Sequence, residues 1–142
     1  MNFLKRFKSS LLGLIITVSI VGCGSGTTDP SLQDLAFEKL AGSWSMPANG
    51  GVLLDGQDVS LNYPGFSLSF TDGGYQTTNG GDLFRASGTW TWTNENAQTL
   101  TLDTGEEVTI QNLTETQFRF TFFHQGSVAA GIRGNYTINV NK

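Results

Sequence analysis

The stretch Gly-Thr-Trp-Thr-Trp-Thr at positions 88–93 carries the clearest strand signal in the chain, because its side chains alternate strictly. Successive side chains of a β-strand point to opposite faces, so both tryptophans fall on one face and the three threonines on the other. The same alternation occurs at 66–70, between aromatic or leucine side chains and serine, and at 135–140. The chain is therefore predicted to consist mainly of half-buried strands with one aromatic face.

Further strand-like segments are separated by turns rich in Gly, Asn and Asp. They lie near 43–46, 75–78, 83–86, 99–102, 108–113 and 117–123. The segment 47–64 is predicted to be a long loop, with a short pairing at 52–54 or at 59–61. Because short turns join most neighbouring segments, we expect seven or eight antiparallel strands in a meander.

A meander of this size has two exposed edges unless it closes on itself. Closure into an up-and-down barrel removes both edges, and eight strands enclose either a packed interior or one small ligand. The predicted fold class is therefore all-β: an antiparallel up-and-down meander closing into a small eight-stranded barrel, with a short N-terminal helix. An open two-sheet sandwich is the alternative.

The N-terminal helix is predicted from its capping residues and the spacing of its apolar side chains. Asp29 is suited to the N-cap, and Pro30 to the first helical position, where no backbone N–H is needed. Apolar residues at positions 32, 35, 36 and 40 mark one face of the helix. Gly42 ends it, and the first strand follows at once.

The start of the chain has the composition of an export signal. Basic residues at positions 5, 6 and 8 precede an apolar stretch at 11–21 that is too short to span a bilayer. The following Ile-Val-Gly-Cys at 20–23 resembles the lipobox of bacterial lipoproteins, which implies that Cys23 is acylated on sulfur and becomes the first mature residue. An ordinary secretory peptide cleaved beside a free thiol is the alternative. The predicted organisation is a signal peptide at 1–22, a lipid-anchored flexible tether at 23–30 and a barrel domain at 31–142.

The charge of the chain excludes several classes of partner. The formal net charge is −4, and because three of the eight basic residues precede Cys23 while all twelve acidic residues follow it, the remainder carries −7. Such a surface repels nucleic acid and anionic headgroups, so no nucleic-acid partner is expected and the lipid on Cys23 must provide the membrane attachment. Cys23 is the only cysteine, which leaves no disulfide framework and no Cys-ligated metal.

Four different groups of residues are spaced along the barrel region. They are Leu40, Gly42 and Trp44; Gly88 and Trp90; Ile110, Leu113, Thr114 and Thr116; and Gly134, Asn135 and Tyr136. Together they resemble the small lipocalin-like domains of lipoproteins from Bacteroidota-type bacteria. The resemblance implies that Gly42 and Trp44 form the signature closing one end of the barrel, with Arg133 lying over the Trp44 ring and Arg119 as the second candidate for that place.

Nine aromatic side chains are expected on the inner face of the barrel: Trp44, Phe66, Phe70, Trp90, Trp92, Phe118, Phe120, Phe122 and Tyr136. Each aromatic side chain buries about 150–250 Å², and an eight-stranded barrel is just wide enough to be filled by side chains. The inner face is therefore either a core or a pocket for a small apolar ligand. The candidate pocket-lining residues are Trp90, Trp92, Phe118, Phe120 and Tyr136.

The polar residues do not form a recognisable catalytic or metal-binding set. His124, the only histidine, lies at a strand end and is expected to be exposed, and no Gly-x-Ser-x-Gly motif occurs. Asp55 and Asp58 lie in a Gly-rich loop without the acid spacing of an EF-hand, so a solvated turn is favoured over a calcium site. Glu106 and Glu107 are adjacent in a strand and face opposite sides. No catalytic residue, metal or cofactor is expected.

These observations predict a non-enzymatic lipoprotein of the cell envelope. Its barrel is expected to bind a small apolar ligand or to act as an interaction module. A protein-binding barrel with a solid core, similar to the periplasmic lysozyme inhibitors, is the alternative, and an enzyme is the least favoured class. Gly24 follows the acylated cysteine in place of the Asp that is associated with inner-membrane retention. By that resemblance the outer membrane is expected, with the barrel in the periplasm or at the cell surface.

Overall fold

The computed structural model describes residues 29–126 and 132–142. The predicted signal peptide, Cys23 and the greater part of the tether lie outside the described residues, as does most of the Gly/Ala-rich loop before the last strand. Within the described ranges, no helix has both the length and the apolar character needed to cross a bilayer.

The described chain contains one α-helix, one short 3-10 helix and ten β-strands. Helix α1 is Leu32–Leu40, and the 3-10 helix is Ser60–Asn62. The strands are β1 (Gly42–Ser45), β2 (Val52–Leu54), β3 (Gln57–Asp58), β4 (Ser67–Thr71), β5 (Gly74–Thr78), β6 (Ser87–Trp92), β7 (Thr99–Leu102), β8 (Glu107–Leu113), β9 (Gln117–His124) and β10 (Gly134–Asn141).

Eight of the strands form a closed antiparallel barrel, which confirms the predicted fold class. Strand β1 pairs with β4, and β4 to β10 pair with their neighbours in sequence order. The ring closes where β1 meets β10, with Ser45 opposite Asn141. This closure removes the two open edges that a meander would expose.

The two remaining strands form a hairpin on the free edge of β10. Strand β2 pairs with β10, placing Val52 opposite Ile138, and with β3. The pairing expected at 52–54 is therefore confirmed, whereas residues 59–61 lead into the 3-10 helix. The hairpin turn is attached to β10 by Asp55, whose Oδ1 accepts a hydrogen bond from the backbone N–H of Asn135 at 3.1 Å.

Helix α1 begins two residues later than expected, so the prediction of Asp29 as its N-cap was wrong. Ser31 is the N-cap, and its hydroxyl accepts a hydrogen bond from the Asp34 backbone N–H at 3.1 Å. The Asp34 carboxylate in turn accepts from the Ser31 N–H at 3.0 Å. This capping box satisfies two backbone donors at once, which a single Asp at position 29 cannot do.

Helix α1 lies across one end of the barrel, called here the helix end. Gln33 Nε2 donates to the Asn94 carbonyl in the β6–β7 turn at 2.9 Å, and the ring centroids of Phe37 and Trp90 are 6.0 Å apart. The opposite end, called here the mouth, carries the loops that follow β5, β7 and β9, because the strands run alternately up and down.

Residues 83–86, which were expected to begin a strand, belong instead to the β5–β6 loop at the mouth, so that prediction was wrong. Leu83 is buried and Phe84 is half-buried, so their apolar character reflects packing over the barrel rather than pairing. The start of the loop is held by Asn79, whose Nδ2 donates to the Pro64 carbonyl at 2.9 Å.

Candidate functional site

The barrel interior is filled mainly by aromatic side chains from alternate positions of the strands. Eight of the nine aromatic residues expected there are buried, namely Trp44, Phe66, Phe70, Trp90, Phe118, Phe120, Phe122 and Tyr136. The ring centroids of Phe118 and Phe120 are 4.6 Å apart, and Phe122 stacks on Tyr136 at 5.6 Å. These eight side chains belong to the core of the described barrel. The role of Trp90, Phe118, Phe120 and Tyr136 as ligand contacts stays a prediction.

A void of about 10 Å³ remains inside the barrel next to Phe84. It is lined by Leu68, Phe70, Tyr75, Thr77, Phe84, Leu100, Leu102, Val108 and Phe120. A cavity needs roughly 10–15 Å³ to hold one water molecule, and small-molecule pockets measure about 300–1,000 Å³. In this part of the described interior there is therefore no space for an organic ligand.

Trp92 differs from the other aromatic residues of the predicted inner face. It is half-buried, and its ring meets that of Trp90 edge to face with the centroids 5.0 Å apart. The two side chains share one face of β6, as the alternation predicts. Trp92 lies nearer the end of the strand, however, so its ring reaches a groove beside helix α1 rather than the packed interior.

Trp44 closes the barrel at the helix end. Its side chain is fully buried, and its indole N–H donates to the Leu40 carbonyl at 2.8 Å. The ring packs on Phe118 with the centroids 5.5 Å apart. Gly42 has a φ of +108°, a conformation that favours glycine, and it turns the chain from helix α1 into β1.

The cation that covers Trp44 is Lys142. Its Nζ lies 4.4 Å from the centroid of the Trp44 ring and donates to the carbonyls of Lys39 and Ala41, each at 2.6 Å. These carbonyls belong to the C-terminal end of helix α1, where a positive charge is favoured by the helix dipole. One ammonium group therefore links the chain after β10, the end of the helix and the buried tryptophan.

Arg133, which the resemblance placed over Trp44, lies elsewhere. Its guanidinium carbon is 5.3 Å from the centroid of the Phe123 ring. Residue 133 precedes β10 at the mouth, whereas Lys142 follows β10 at the helix end. Since the two ends are separated by the whole length of the strand, Arg133 cannot reach Trp44, and the predicted Trp–Arg pair is corrected to Trp44–Lys142.

Phe84 packs on the barrel core at the mouth. Its ring centroid lies 5.7 Å from that of Phe66, 6.2 Å from Phe120 and 5.0 Å from Phe122. The loop that carries it contains two adjacent glycines at positions 80 and 81, and Gly81 has a φ of +58°. Phe84 thus packs against three core rings from a loop, not from a strand of the wall.

Tyr63 packs beside Phe84's loop and is buried. Its hydroxyl donates to Oδ1 of Asp82 at 3.4 Å. Burial, reinforced by the neighbouring Tyr136 hydroxyl and by the charge of Asp82, raises the pKa of Tyr63 above its ordinary value. The phenol therefore remains a hydrogen-bond donor to the loop throughout the neutral range.

An open groove of about 440 Å³ lies at the helix end, between helix α1, the β4–β5 turn and the end of β6. This groove, called here the helix groove, is lined by Gln33, Asp34, Phe37, Asp72, Gly73, Trp90, Thr91 and Trp92. Hydrogen bonds from the Ser31 hydroxyl and amide hold the pKa of Asp34 below its usual value, so that carboxylate is negatively charged at neutral pH.

His124 is paired with an acid and is not exposed, contrary to the expectation from sequence. Its Nδ1 lies 3.0 Å from Oε1 of Glu106, and the two side chains are 13% and 18% exposed. Glu106 also accepts a hydrogen bond from the Thr104 hydroxyl at 3.2 Å. The β7–β8 turn brings Glu106 beside the end of β9, a pairing between residues 18 positions apart that local sequence patterns do not reveal.

The segment that contains Asp55 and Asp58, expected to be a solvated turn, forms the β2–β3 hairpin turn and strand β3. The Asp58 carboxylate accepts hydrogen bonds from the backbone N–H groups of Ser60 and Gly50 at 2.9 and 3.0 Å, and from the Ser60 hydroxyl. These bonds, that of the Ser60 hydroxyl above all, hold the Asp58 pKa below its usual value. Across the described ranges, no three His, Cys, Asp or Glu side chains come together as a metal site would require.

Three residues with a role at the ends of the barrel were not singled out from the sequence: Phe37, Phe84 and Lys142. The pair Gly80-Gly81 before Phe84 was a signal for a loop that enters the mouth, but the apolar residues after it resembled a strand. Lys142 stands just past the alternating stretch, and nothing local marks it as the partner of Trp44.

The described fold and its surfaces define a closed eight-stranded antiparallel barrel with a helix across one end, a packed aromatic core and an acidic, aromatic groove outside it. No protein-family model matches the chain, and no curated protein sequence matches it either.

Proposed function

We propose that this protein is a lipid-anchored, lipocalin-like envelope protein that acts through the outer surface of its barrel, with a core that carries no ligand. The observation that carries the proposal is the void of about 10 Å³ among the described core residues. A pocket for a small molecule is at least thirty times larger, at about 300–1,000 Å³. The proposal thus follows the protein-binding alternative that the sequence left open.

The attachment to the membrane rests on the N-terminal sequence. Basic residues, a short apolar stretch and Ile-Val-Gly-Cys at 20–23 support acylation of Cys23. Six Cα–Cα steps separate Cys23 from Asp29, which is at most about 20 Å, so the helix end would lie close to the bilayer surface. The negative charge of the mature chain opposes direct binding to anionic lipids, which leaves the acyl chains as the attachment.

The anchor is tested by detergent phase partitioning of the full-length protein expressed in a bacterium. Wild type is expected in the detergent phase, with acyl groups on the N-terminal cysteine detected by mass spectrometry. Cys23→Ser is expected to carry no acyl group in the same mass spectrum. An unmodified Cys23 in wild type, or cleavage at another residue, would contradict the proposed anchor.

The absence of a ligand from the core is tested by native mass spectrometry of the acylated protein purified from the envelope in a mild detergent. The expected mass is that of the polypeptide with its covalent lipids alone. A further apolar molecule that stays bound to the folded protein and is lost on unfolding would contradict the proposal. Such a result would restore the small apolar ligand that the sequence also predicted.

A second candidate, binding of a small apolar ligand, is favoured by one observation. Phe84 lies at the mouth in a glycine-containing loop, and it contacts the core through aromatic rings. Displacement of this one side chain would enlarge the void beside it. Titration of wild type with a fluorescent fatty acid tests this candidate, which predicts saturable binding with a change in tryptophan emission.

The proposal is non-enzymatic. The His124–Glu106 pair provides an acid beside the histidine, but a hydrolase also needs a nucleophile within hydrogen-bond reach of the base. The hydrogen bonds of the described residues give His124 a carboxylate partner and join it to no serine or threonine hydroxyl. We therefore assign the pair a structural role in fixing the β7–β8 turn.

A further inference from the structure

The helix groove combines aromatic rings with acceptor groups. Phe37, Trp90 and Trp92 provide its aromatic surface, and Asp34 and Asp72 provide two carboxylates. No lysine or arginine is among its described lining residues. The faces of aromatic rings and carboxylates share one preference, since both attract a positively charged group.

We propose that the helix groove binds the guanidinium or ammonium group of an arginine or lysine side chain carried by a partner polypeptide. A cation within about 6 Å of a tryptophan centroid is attracted by the ring, and nearby carboxylates add charge-assisted hydrogen bonds. This inference rests on the proposed function, because it names the chemistry of the partner that the outer surface would take.

The rings that line the groove are held in place before any partner binds. The Trp90 indole N–H is shared between the carbonyls of Thr71 and Gly74, at 3.0 and 3.1 Å. The Trp90 ring also packs on Phe37 and, edge to face, on Trp92. Binding therefore orders few side chains of the protein, which limits its entropic cost.

The polar groups of the groove are also positioned. Gln33 uses its amide nitrogen to bind the Asn94 carbonyl, so its amide oxygen remains as an acceptor. Asp34 is fixed by Ser31 through one carboxylate oxygen, at 2.7 and 3.0 Å. Acceptors with a fixed direction suit a donor-rich group such as guanidinium, which carries five N–H donors and no acceptor.

A basic side chain fits the charge of the groove better than an amine-bearing phospholipid does. The lipid amine is joined to a phosphate, which two carboxylates in the groove and the charge of −7 after Cys23 would repel. An arginine or lysine side chain brings no anion with it. We therefore assign the groove to a polypeptide, although its end of the barrel would lie close to the membrane.

The test is a titration of the full mature protein, labelled with ¹⁵N at its three tryptophans, with N-acetyl-arginine amide. The indole signals of Trp92 and Trp90 are expected to shift and to saturate at millimolar ligand, while that of the fully buried Trp44 stays in place. N-acetyl-citrulline amide, which has nearly the same shape without the charge, is the matched ligand control and is expected to cause no saturable shift.

Two variants and a matched control locate the site. Asp72→Asn removes one charge from a turn and is expected to weaken binding about 2–5-fold. Trp92→Leu removes the half-buried ring and is expected to weaken binding about 3–10-fold. Glu115→Gln removes the same charge from the exposed β8–β9 turn outside the groove, and the affinity is expected to stay within about a factor of 1.5.

Equal shifts with the arginine and citrulline compounds, or equal weakening by Asp72→Asn and Glu115→Gln, would overturn the inference. Saturable binding to phosphatidylethanolamine vesicles through Trp92, without binding of the arginine compound, would also overturn it in favour of a lipid site. Because the titration needs no partner protein, its failure leaves the proposed surface function untouched. A bound apolar ligand in the native mass spectrum would instead overturn that function and leave the groove result standing.

Discussion

Truncation of Phe84 to alanine should convert the packed barrel into one with an enclosed apolar cavity. The Phe84 ring contacts Phe66, Phe120 and Phe122, and it forms one wall of the existing void. Removing a fully buried phenylalanine ring costs about 3–5 kcal/mol. Because Phe84 is half-buried, we expect Phe84→Ala to lower the free energy of unfolding by about 2–3 kcal/mol.

The cavity itself provides a second measurement. Apolar cavities of about 150 Å³ lined by aliphatic and aromatic side chains stay dry and take up benzene. In Phe84→Ala the lost ring would join the void of about 10 Å³, whose other walls are mainly aromatic and aliphatic. We therefore expect saturable binding of benzene by Phe84→Ala in calorimetry, with an increase in thermal stability on binding, and neither effect in wild type.

Phe37→Ala is the matched control for this experiment. Phe37 is also half-buried and also packs on a core aromatic residue, Trp90, but it lies in the open helix groove. Its truncation should reduce stability by a similar amount without creating an enclosed cavity, so no benzene should bind. The reasoning would be refuted if wild type bound benzene as tightly as Phe84→Ala, or if Phe84→Ala lost less than about 0.5 kcal/mol.

Three further predictions concern the ends and the wall of the barrel. Lys142→Met removes the ammonium group from Trp44 and from the helix carbonyls, and in urea unfolding it should lower the free energy of unfolding by about 1 kcal/mol. High salt should make this difference smaller, because it screens a charge that only wild type carries. Gly88→Ala places a methyl group within 2.6 Å of the Tyr75 ring and 2.5 Å of the Asp103 carboxylate, and should cost about 1–3 kcal/mol in the same assay. Burial, together with the charge of Asp103, raises the pKa of Tyr75 to about 12. Because the folded state holds the phenol proton more tightly than the unfolded state, Tyr75 contributes fully to stability below the ordinary pKa of 10.0, and this contribution is lost as the pH rises towards 12. Urea unfolding across that pH range measures the loss.

Each of these predictions has its own comparison. Lys39→Met removes the same charge from the last turn of helix α1 but leaves the contact with Trp44, so a loss equal to that of Lys142→Met would argue against the stacking. Gly88→Ala should cost less in a Tyr75→Val background, where the clashing ring is absent. Tyr75→Phe should flatten the alkaline decline in stability, and an unchanged decline would assign it to other groups.

The eight-stranded barrel could be predicted because each of its main strands has a recognisable local sequence pattern. The alternation at 66–70, 88–93 and 135–140 has a period of two, and that period alone determines which side chains face the core. The turns between the strands have the Gly and Asn residues that hairpins require. Closure of the sheet was expected because an open meander leaves its two edge strands unpaired. The pairing of Ser45 with Asn141 confirms that the barrel is closed.

The contents of the two ends could not be predicted in the same way. Lys142 and Trp44 are brought together only by closure of the barrel. The resemblance implied that Arg133 covers Trp44, but Arg133 precedes β10 and lies over Phe123 at the opposite end of the barrel. Phe84 lies in a stretch whose apolar residues are compatible both with a strand and with a loop that packs on the barrel core. His124 ends β9 and Glu106 directly precedes the neighbouring strand β8, so the two residues meet only after these strands pair. No local sequence pattern distinguishes a paired histidine from an exposed one.

The most direct test of a closed barrel with a packed mouth is a nuclear Overhauser spectrum of the protein in solution. We expect cross-peaks between Ser45 and Asn141 across the closing pair, and between the Phe84 and Phe122 rings, whose centroids are 5.0 Å apart. The absence of the first would show that the sheet is open. The absence of the second, with a solvent-exposed Phe84 ring, would show an open mouth and would contradict the account of a barrel that acts through its surface.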